Sequence, residues 1–137
     1  MNPQSITSRL PLPWGTWINR EKPIVFSFDG KSVHGFEGDC VASALAGEQR
    51  WLLSRSFKYH RPRGAFSMAG QDSNTLVHLP GAPNSLADCS AIVQGLDVRP
   101  QNCNGSLEHD PGAILGLFAR FLPVGFYYRA FFRPAGV

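Results

Sequence analysis

Four oxygen-bearing residues stand at the spacing of an iron–sulfur ligand loop. Ser67, Asp72 and Thr75 reproduce the C-x4-C-x2-C arrangement of a plant-type [2Fe-2S] loop, and Asp88 stands at the fourth position further along the chain. Such a cluster needs four thiolates, whereas hydroxyl and carboxylate oxygens are hard donors that match its soft, sulfide-rich iron poorly. The pattern indicates a cluster-binding fold whose ligand positions have lost their cysteines, and we expect no metal here.

Other interpretations of this loop stay open. Cys89, one residue beyond Asp88, could join the oxygens around a mixed-ligand cluster, although one thiol cannot assemble a cluster by itself. A hard cation such as magnesium or calcium would accept the same oxygens. Short polar side chains also close loops by hydrogen bonding to the backbone, and this structural role is the one that we expect.

The second candidate site is the basic and aromatic segment 54–64, SRSFKYHRPRG. Arginine binds planar anions through paired hydrogen bonds, which favours docking to a partner subunit or to a cofactor phosphate. A solvated basic face beside a turn is the plainer alternative. Nucleic-acid binding through stacked bases is a third, which a net charge of only +3 disfavours. The residues assigned to docking are Arg55, Lys58, Tyr59, His60, Arg61 and Arg63.

A third candidate is the aromatic stretch 118–132 near the C-terminus. Its rings are more than a core of this size can bury, and exposed aromatics beside arginines are typical of interfaces. Packing back onto the chain's own sheet and a surface contact with a membrane are the alternatives. The tail residues assigned to docking are Phe126, Tyr127 and Tyr128.

Nucleophiles and metal ligands show no pattern that favours catalysis by this chain alone. The cysteines are odd in number and lack metal-ligand spacing, so we expect reduced thiols, as in a cytoplasmic protein. The histidines include no closely spaced pair, and no nucleophile elbow is present. These residues are Cys40, Cys89, Cys103, His34, His60, His78 and His109.

Local patterns predict the elements that would position these candidates. Alternating apolar residues on either side of Asp29-Gly30 predict a β-hairpin over 23–36. A helix over about 40–46 follows, with Asp39 as its cap.

Further along, strands are expected at 76–79 and 89–93, with a turn at 80–84 between them and an extension of the sheet at 95–99. Hairpin, helix, ligand loop and strands in this order are typical of an α+β, β-grasp, ferredoxin-like domain.

The chain divides into three predicted parts. Residues 1–20 form an extended arm whose two tryptophans need a covering surface, 21–100 form the β-grasp domain, and 101–137 form a linker and an aromatic docking tail. With 137 residues, one domain is expected. The charged content of 17% is low for a monomer, which suggests that a partner covers part of the surface. No apolar run is long enough to span a bilayer.

Three segments, GDCVASALAG, SFKYHRPRG and GFYYRAFFRP, together resemble the N-terminal region of the α subunit of heterotetrameric sarcosine oxidase. The wider kin are the small [2Fe-2S] subunits of hydrogen cyanide synthase and of opine and hydroxyproline dehydrogenases. In the cluster-bearing kin, cysteines occupy the positions of Ser67, Asp72, Thr75 and Asp88, so the resemblance implies a degenerate ferredoxin-like domain here.

The resemblance also implies partners and a function. No G-x-G-x-x-G follows a strand, so we expect this chain alone to bind no cofactor, with FAD and FMN, and NAD as a further candidate, held by larger flavin-binding subunits. The chain is then a non-catalytic small subunit that supports assembly of a hetero-oligomeric, flavin-dependent amine or amino-acid oxidoreductase. The alternative is an electron-transfer [2Fe-2S] subunit of such a complex.

Overall fold

A five-stranded mixed sheet carries most of the fold in the computed structural model, which describes residues 8–119 and 121. The order of its strands is β2-β1-β7-β5-β6, and β3 and β4 pair in a separate hairpin. In chain order the elements are β1 (Asn19–Phe28), β2 (Lys31–Glu37), α1 (Val41–Gly47), β3 (Leu52–Arg55), β4 (Pro62–Gly64), a first 3-10 helix (Ser73–Thr75), β5 (Leu76–Leu79), β6 (Ala82–Leu86), β7 (Asp97–Pro100) and a second 3-10 helix (Pro111–Gly116).

Strands β1 and β2 form the predicted hairpin. The chain reverses at Asp29 and Gly30, whose φ angles of 52° and 72° are those that the tight Asp-Gly turn requires. Phe26 and Phe28 of β1 are both buried, because alternate residues of a strand face the same side. The hairpin prediction is confirmed.

Strand β7 completes the sheet by pairing in parallel with β1 and antiparallel with β5. One buried cluster joins side chains of α1 to those of the strands. Burying each of its larger apolar side chains contributes about 1.5–3 kcal/mol. The predicted α+β, β-grasp architecture is therefore confirmed. The cluster consists of Phe26, Phe28, Val33, Val41, Ala42, Ala44, Leu45, Leu53, Val77, Ala87, Ile92, Val98 and Leu107.

Helix α1 lies where it was predicted but has a different cap. Cys40 is the N-cap: its Sγ accepts the backbone N–H of Ser43 at 3.3 Å, and Ser43 Oγ accepts the backbone N–H of Cys40 at 3.0 Å. Asp39, the predicted cap, is buried and binds Arg9 Nη1 and Nη2 at 3.0 and 2.7 Å. The cap prediction was wrong because it considered neighbours in sequence, whereas the arginine comes from the arm.

The described part of the arm is attached to α1. The backbone N–H of Ser8 donates to Gly47 O at 3.1 Å, beside the ion pair of Arg9 with Asp39. A Cβ at Gly47 would lie 2.8 Å from the guanidinium of Arg9, so glycine leaves the room that this side chain occupies. Two separate contacts therefore fix the start of the described chain.

Two predictions in the second half of the domain were wrong. The expected turn at 80–84 is confined to Pro80 and Gly81, and β6 begins at Ala82. The expected strand at 89–93 is an irregular segment that starts at the end of a turn, and its one β-bridge is the isolated pair of Cys40 and Ala91. Strand β6 tolerates a proline because it lies at the edge of the sheet, where one row of backbone N–H groups needs no partner strand.

Within the described residues, no helix combines the length and the apolar character that crossing a bilayer demands.

Candidate functional site

The four positions with iron–sulfur spacing meet at one end of the sheet. Asp72 caps the first 3-10 helix, Thr75 ends that helix, and β5 then pairs with β6 so that Leu76 faces Leu86. Asp88 lies two residues after the end of β6, and its side chain contacts the Thr75 hydroxyl. The fold therefore gathers residues that are separated by up to 21 positions in the sequence.

Asp72 is the centre of this group. Its Oδ2 accepts the backbone N–H groups of Phe66 and Ser67, the latter at 2.8 Å, and its Oδ1 accepts that of Asn74 at 2.9 Å. The side chain is buried. Burial by itself would raise the pKa of Asp72, but the N–H groups of Ser67, Asn74 and Phe66 hold that pKa below its usual range.

Thr75 and Asp88 form the deeper half of the group. The Thr75 hydroxyl lies 3.0 Å from Asp88 Oδ1 and 2.8 Å from the carbonyl oxygen of Asp72. Asp88 Oδ2 accepts the backbone N–H of Asp72 at 3.3 Å. Both side chains are buried, so each needs the hydrogen bonds that it makes here.

Ser67 and Cys89 lie at the surface of the same region. Ser67 contributes its backbone N–H to Asp72, while its hydroxyl is 3.4 Å from the backbone nitrogen of Ala69. Cys89 is exposed, and its sulfur is 3.6 Å from Leu86 O. A Cβ at Gly70 would lie 3.6 Å from the Cβ of Cys89, so the thiol stands beside the loop.

These side chains do not fit a four-thiolate cluster. Asp72, Thr75 and Asp88 direct their oxygens at hydrogen-bond donors within the chain, and none supplies sulfur. In the region that the structure describes, no three His, Cys, Asp or Glu residues are grouped so that they could hold a metal ion. The hydrogen bonds of Asp72, Thr75 and Asp88 are those of a polar loop closed by side-chain contacts.

The basic segment forms the hairpin of β3 and β4, and two of its predicted docking residues point into the chain. Arg55 is buried: Nε and Nη2 donate to Leu107 O, and Nη1 donates to His60 O at 2.7 Å. His60 Nδ1 lies 2.7 Å from Asp110 Oδ2, and Arg55 Nε is 3.5 Å from the same oxygen. Arg55 and His60 thus tie the hairpin to the C-terminal segment.

Asp110 completes this tie from the other side. It is buried, and its Oδ1 accepts the backbone N–H groups of Gly112 and Asn104 at 2.9 and 3.3 Å. Burial would raise the pKa of Asp110, but His60 and these two N–H groups hold it below its usual range. We call Arg55, His60 and Asp110 the Asp110 clasp.

The other basic residues of the hairpin lie at its surface. Lys58 Nζ and the Arg61 guanidinium lie 5.0 and 4.7 Å from the centroid of the Tyr59 ring, within the range of cation–π attraction. Arg61 is exposed, and exposed Arg63 donates to Asn74 Oδ1 at 3.1 Å. This bond joins the hairpin to residues 65–75, which we call the Asp72 loop. Docking by these surface residues of the hairpin stays a prediction, while Phe126, Tyr127 and Tyr128 lie outside the described residues.

Sequence reasoning missed two buried carboxylates that organise the surface, Asp39 and Asp110. Their charged or imidazole partners, Arg9 for Asp39 and His60 and Arg55 for Asp110, are remote in sequence, so no local spacing marks these contacts. Asp110 does carry a weak signal, because Asp-Pro-Gly is typical of a helix start with proline in the first turn.

Cys103 is half-buried, and burial together with Asp110 and Asp29 raises the pKa of its thiol, as expected of an unreactive cysteine.

Comparison with known proteins agrees with the sequence resemblance. Residues 21–103 match the model of a family described as 2Fe-2S iron–sulfur cluster binding domain. The chain is 43% identical over 128 residues to sarcosine oxidase subunit alpha of Rhizobium meliloti (strain 1021), covering 90% of this chain and 13% of that protein. It is 38% identical over 60 residues to the same subunit of Corynebacterium sp. (strain P-1), covering 44% of this chain and 6% of that one.

A solved structure shares the fold. L-proline dehydrogenase from P. horikoshii superposes with a TM-score of 0.52 over 64% of this chain and 17% of the dehydrogenase chain, at 22% sequence identity. The predicted resemblance is confirmed by these matches. This chain spans a small fraction of the length of each relative.

One prediction about cofactors needs correction. We expected this chain to bind no cofactor by itself, but the family that residues 21–103 match is one of [2Fe-2S] domains, which indicates an iron–sulfur cofactor on this chain. The expectation followed from the missing cysteines at four positions and from the missing dinucleotide-binding motif. The spacing predicted the cluster-binding family correctly, and the wrong step was to conclude from the donor types that no cofactor binds.

Proposed function

Because the chain belongs to the 2Fe-2S iron–sulfur cluster binding domain family, we propose that it is a small component of an oxidoreductase with larger, flavin-binding subunits. The similarity to sarcosine oxidase subunit alpha supports this choice, since 90% of this chain aligns with that subunit. The proposed reaction of the whole complex is the oxidation of a secondary amine or an amino acid.

The proposed role of this chain in the complex is assembly. The observation that carries it is the number of large apolar side chains left exposed, which in a protein of this size is typical of an interaction surface. Most occur in the arm, in the basic hairpin, in the loop that follows it and around the second 3-10 helix. The most exposed of them are Leu12, Trp17, Phe57, Phe66, Leu117 and Phe121.

Electron transfer through an iron–sulfur cluster is the second candidate, and family membership favours it. Its weakness is the donor set, since Ser67, Asp72, Thr75 and Asp88 provide no thiolate. A cluster bound by this chain would need sulfur ligands from elsewhere.

Purification of the intact chain from its native cells tests both candidates. We expect a tagged chain to copurify with two or more larger polypeptides and with flavin absorption, and the pool to oxidise amines or amino acids. Deletion of this chain should leave the larger subunits unassembled. A solitary, colourless chain would contradict the oxidoreductase proposal.

Iron and acid-labile sulfide in the same pool separate the two roles. Equal amounts of both, assigned to this chain after the subunits are separated, would establish electron transfer in place of a purely structural role. A cluster-free chain that is still required for assembly would support the first role.

A further inference from the structure

We propose that the hairpin of β3 and β4 and the second 3-10 helix form one docking surface for a protein surface that is apolar at its centre and rich in carboxylates at its edge. We call this the hairpin–helix surface. The inference rests on the proposed function, because it specifies the chemistry by which a larger subunit would recognise this chain.

The two halves of the surface are held side by side. The Asp110 clasp joins His60 of the hairpin to the residue that caps the 3-10 helix. A Cβ at Gly112 would lie 2.5 Å from the His60 ring, and one at Gly116 would lie 3.9 Å from Tyr59 O. The helix therefore lies directly against the turn of the hairpin.

The apolar part of this surface is made by side chains from both halves. Phe57 in the hairpin is 79% exposed, and Leu117 just after the helix is 80% exposed. Ile114 of the helix and Phe118 after it are also exposed, at 58% and 50%. Aromatic and aliphatic anchors of this kind become effective when a partner removes them from water.

The charges of the surface have a single sign. Lys58, Arg61 and Arg63 are its charged side chains at the surface, and residues 54–71 and 111–119 contain no Asp or Glu. Electrostatic complementarity therefore requires acidic groups on the partner. The cations beside the Tyr59 ring place positive charge next to the apolar centre.

A protein partner fits this arrangement better than a lipid surface does. Proteins that lie on membranes generally use a long amphipathic helix with a wide apolar face. Here the apolar side chains project from a hairpin turn and from a 3-10 helix of six residues. We therefore commit to an acidic protein surface on a larger subunit.

Photo-crosslinking in the intact complex tests the proposal. A benzophenone amino acid replaces Phe57 in one variant, Leu117 in a second and Val93, an exposed residue outside the surface, in a control. We expect positions 57 and 117 to crosslink to the same larger subunit, in peptides that contain Asp or Glu, and position 93 to give a different pattern. Links to two different polypeptides, or to residues 122–137 of this chain, would overturn the proposal.

Charge neutralisation gives an independent measurement. The chain is stripped from the purified complex and its rebinding to the larger subunits is measured. We expect Arg61→Gln to raise the dissociation constant about tenfold or more and to flatten its salt dependence. Arg99→Gln removes another exposed arginine and should leave binding unchanged. Equal binding by both variants and the unaltered chain would refute the assignment.

The outcomes separate this inference from the proposed function. If flavin-bearing subunits copurify but neither crosslinks nor Arg61→Gln points to the hairpin–helix surface, the inference fails and the proposed function stands. If no larger subunit copurifies, both fail. Cosedimentation of the chain with vesicles of phosphatidylserine and phosphatidylcholine, abolished by Arg61→Gln, would assign the surface to lipid and overturn the protein partner.

Discussion

Asp72 and Asp110 are two buried aspartates, 6% and 7% exposed, and each caps a 3-10 helix, yet they are satisfied in different ways. The three hydrogen bonds that Asp72 accepts all come from backbone N–H groups within six residues of it. Asp110 accepts two backbone N–H groups as well, but it also binds His60 and lies near the Arg55 guanidinium.

This difference shows which segments of the chain each carboxylate connects. Asp72 closes one loop on itself, with a neutral donor set drawn from a single stretch of chain. Asp110 joins segments 50 and more positions apart, through the imidazole of His60 and the guanidinium of Arg55. We therefore expect the Asp72 loop to open locally, and the Asp110 clasp to affect the stability of the whole domain.

The largest expected effect follows from breaking the clasp. Asp110→Asn keeps the size of the side chain but leaves the buried Arg55 guanidinium without its negative neighbour and sets an amide N–H₂ against His60 or the backbone donors. Loss of one partner of a buried ion pair costs about 3–5 kcal/mol of the free energy of unfolding. Urea denaturation followed by circular dichroism measures it.

The neighbouring Glu108 offers a control for that variant. Its ion pair with Lys31 is largely exposed, so Glu108→Gln should leave the unfolding midpoint nearly unchanged. Equal destabilisation by both substitutions would mean that charge in this segment matters in general and that the clasp has no special role.

A smaller and more local effect is expected at the other carboxylate. In Asp72→Asn the single amide oxygen cannot accept all three N–H groups, and an unsatisfied buried donor costs about 1–3 kcal/mol. Hydrogen exchange should accelerate at the backbone N–H groups of Phe66, Ser67 and Asn74, with little change at Arg55. Uniform acceleration through the domain would contradict the local role assigned to the Asp72 loop.

The sequence was sufficient to predict elements whose determinants are local. The β1–β2 hairpin was predicted because Asp29-Gly30 and the alternation around it lie in one short stretch. The strand at 76–79 was predicted because its residue pattern likewise lies within one short stretch of sequence. Strand β6 was missed because Pro83 and Asn84 favour a turn, and the position at the sheet edge that permits them is not visible in a sequence.

At the candidate sites too, local sequence predicts which residues lie in one region but not which way each side chain points. Iron–sulfur spacing predicted that Ser67, Asp72, Thr75 and Asp88 belong to one region, and the fold brings them together. Composition alone grouped Arg55 and His60 with the exposed cations of the hairpin, although both face Asp110. Which way a side chain points depends on partners far away in sequence, and for Arg55 and Asp39 those partners are 55 and 30 residues distant.

Within the Asp72 loop, the contribution of the deeper half can be isolated. Thr75→Val preserves the shape of a fully buried side chain and removes the hydroxyl that contacts Asp88. We expect a loss of about 1–2 kcal/mol in the free energy of unfolding, because Asp88 Oδ1 loses its donor. Ser85→Ala removes a hydroxyl that bonds a carbonyl in exposed surroundings and should cost less. If both cost the same, the buried contact adds nothing.

The finest distinction between the two carboxylates is their response to acid. Folding lowers the pKa of both Asp72 and Asp110, so each contributes stability that is fully present above the unfolded pKa of about 3.9 and is lost as the pH falls through the lower, folded value. Stability should therefore be flat near neutral pH and decrease below about pH 5. In Asp72→Asn the remaining slope comes from other groups, including Asp110, and the reverse holds in Asp110→Asn. Measured by urea denaturation at several pH values, each variant should lose less stability between neutral and acid conditions than the unaltered chain.

Raising the salt concentration should reduce the Asp110 contribution more, because part of it depends on charged neighbours, whereas the donors around Asp72 are neutral backbone groups. An identical salt response of the two variants would contradict the claim that charged neighbours distinguish Asp110 from Asp72. The two carboxylates would then differ only in whether their contacts are local or long-range.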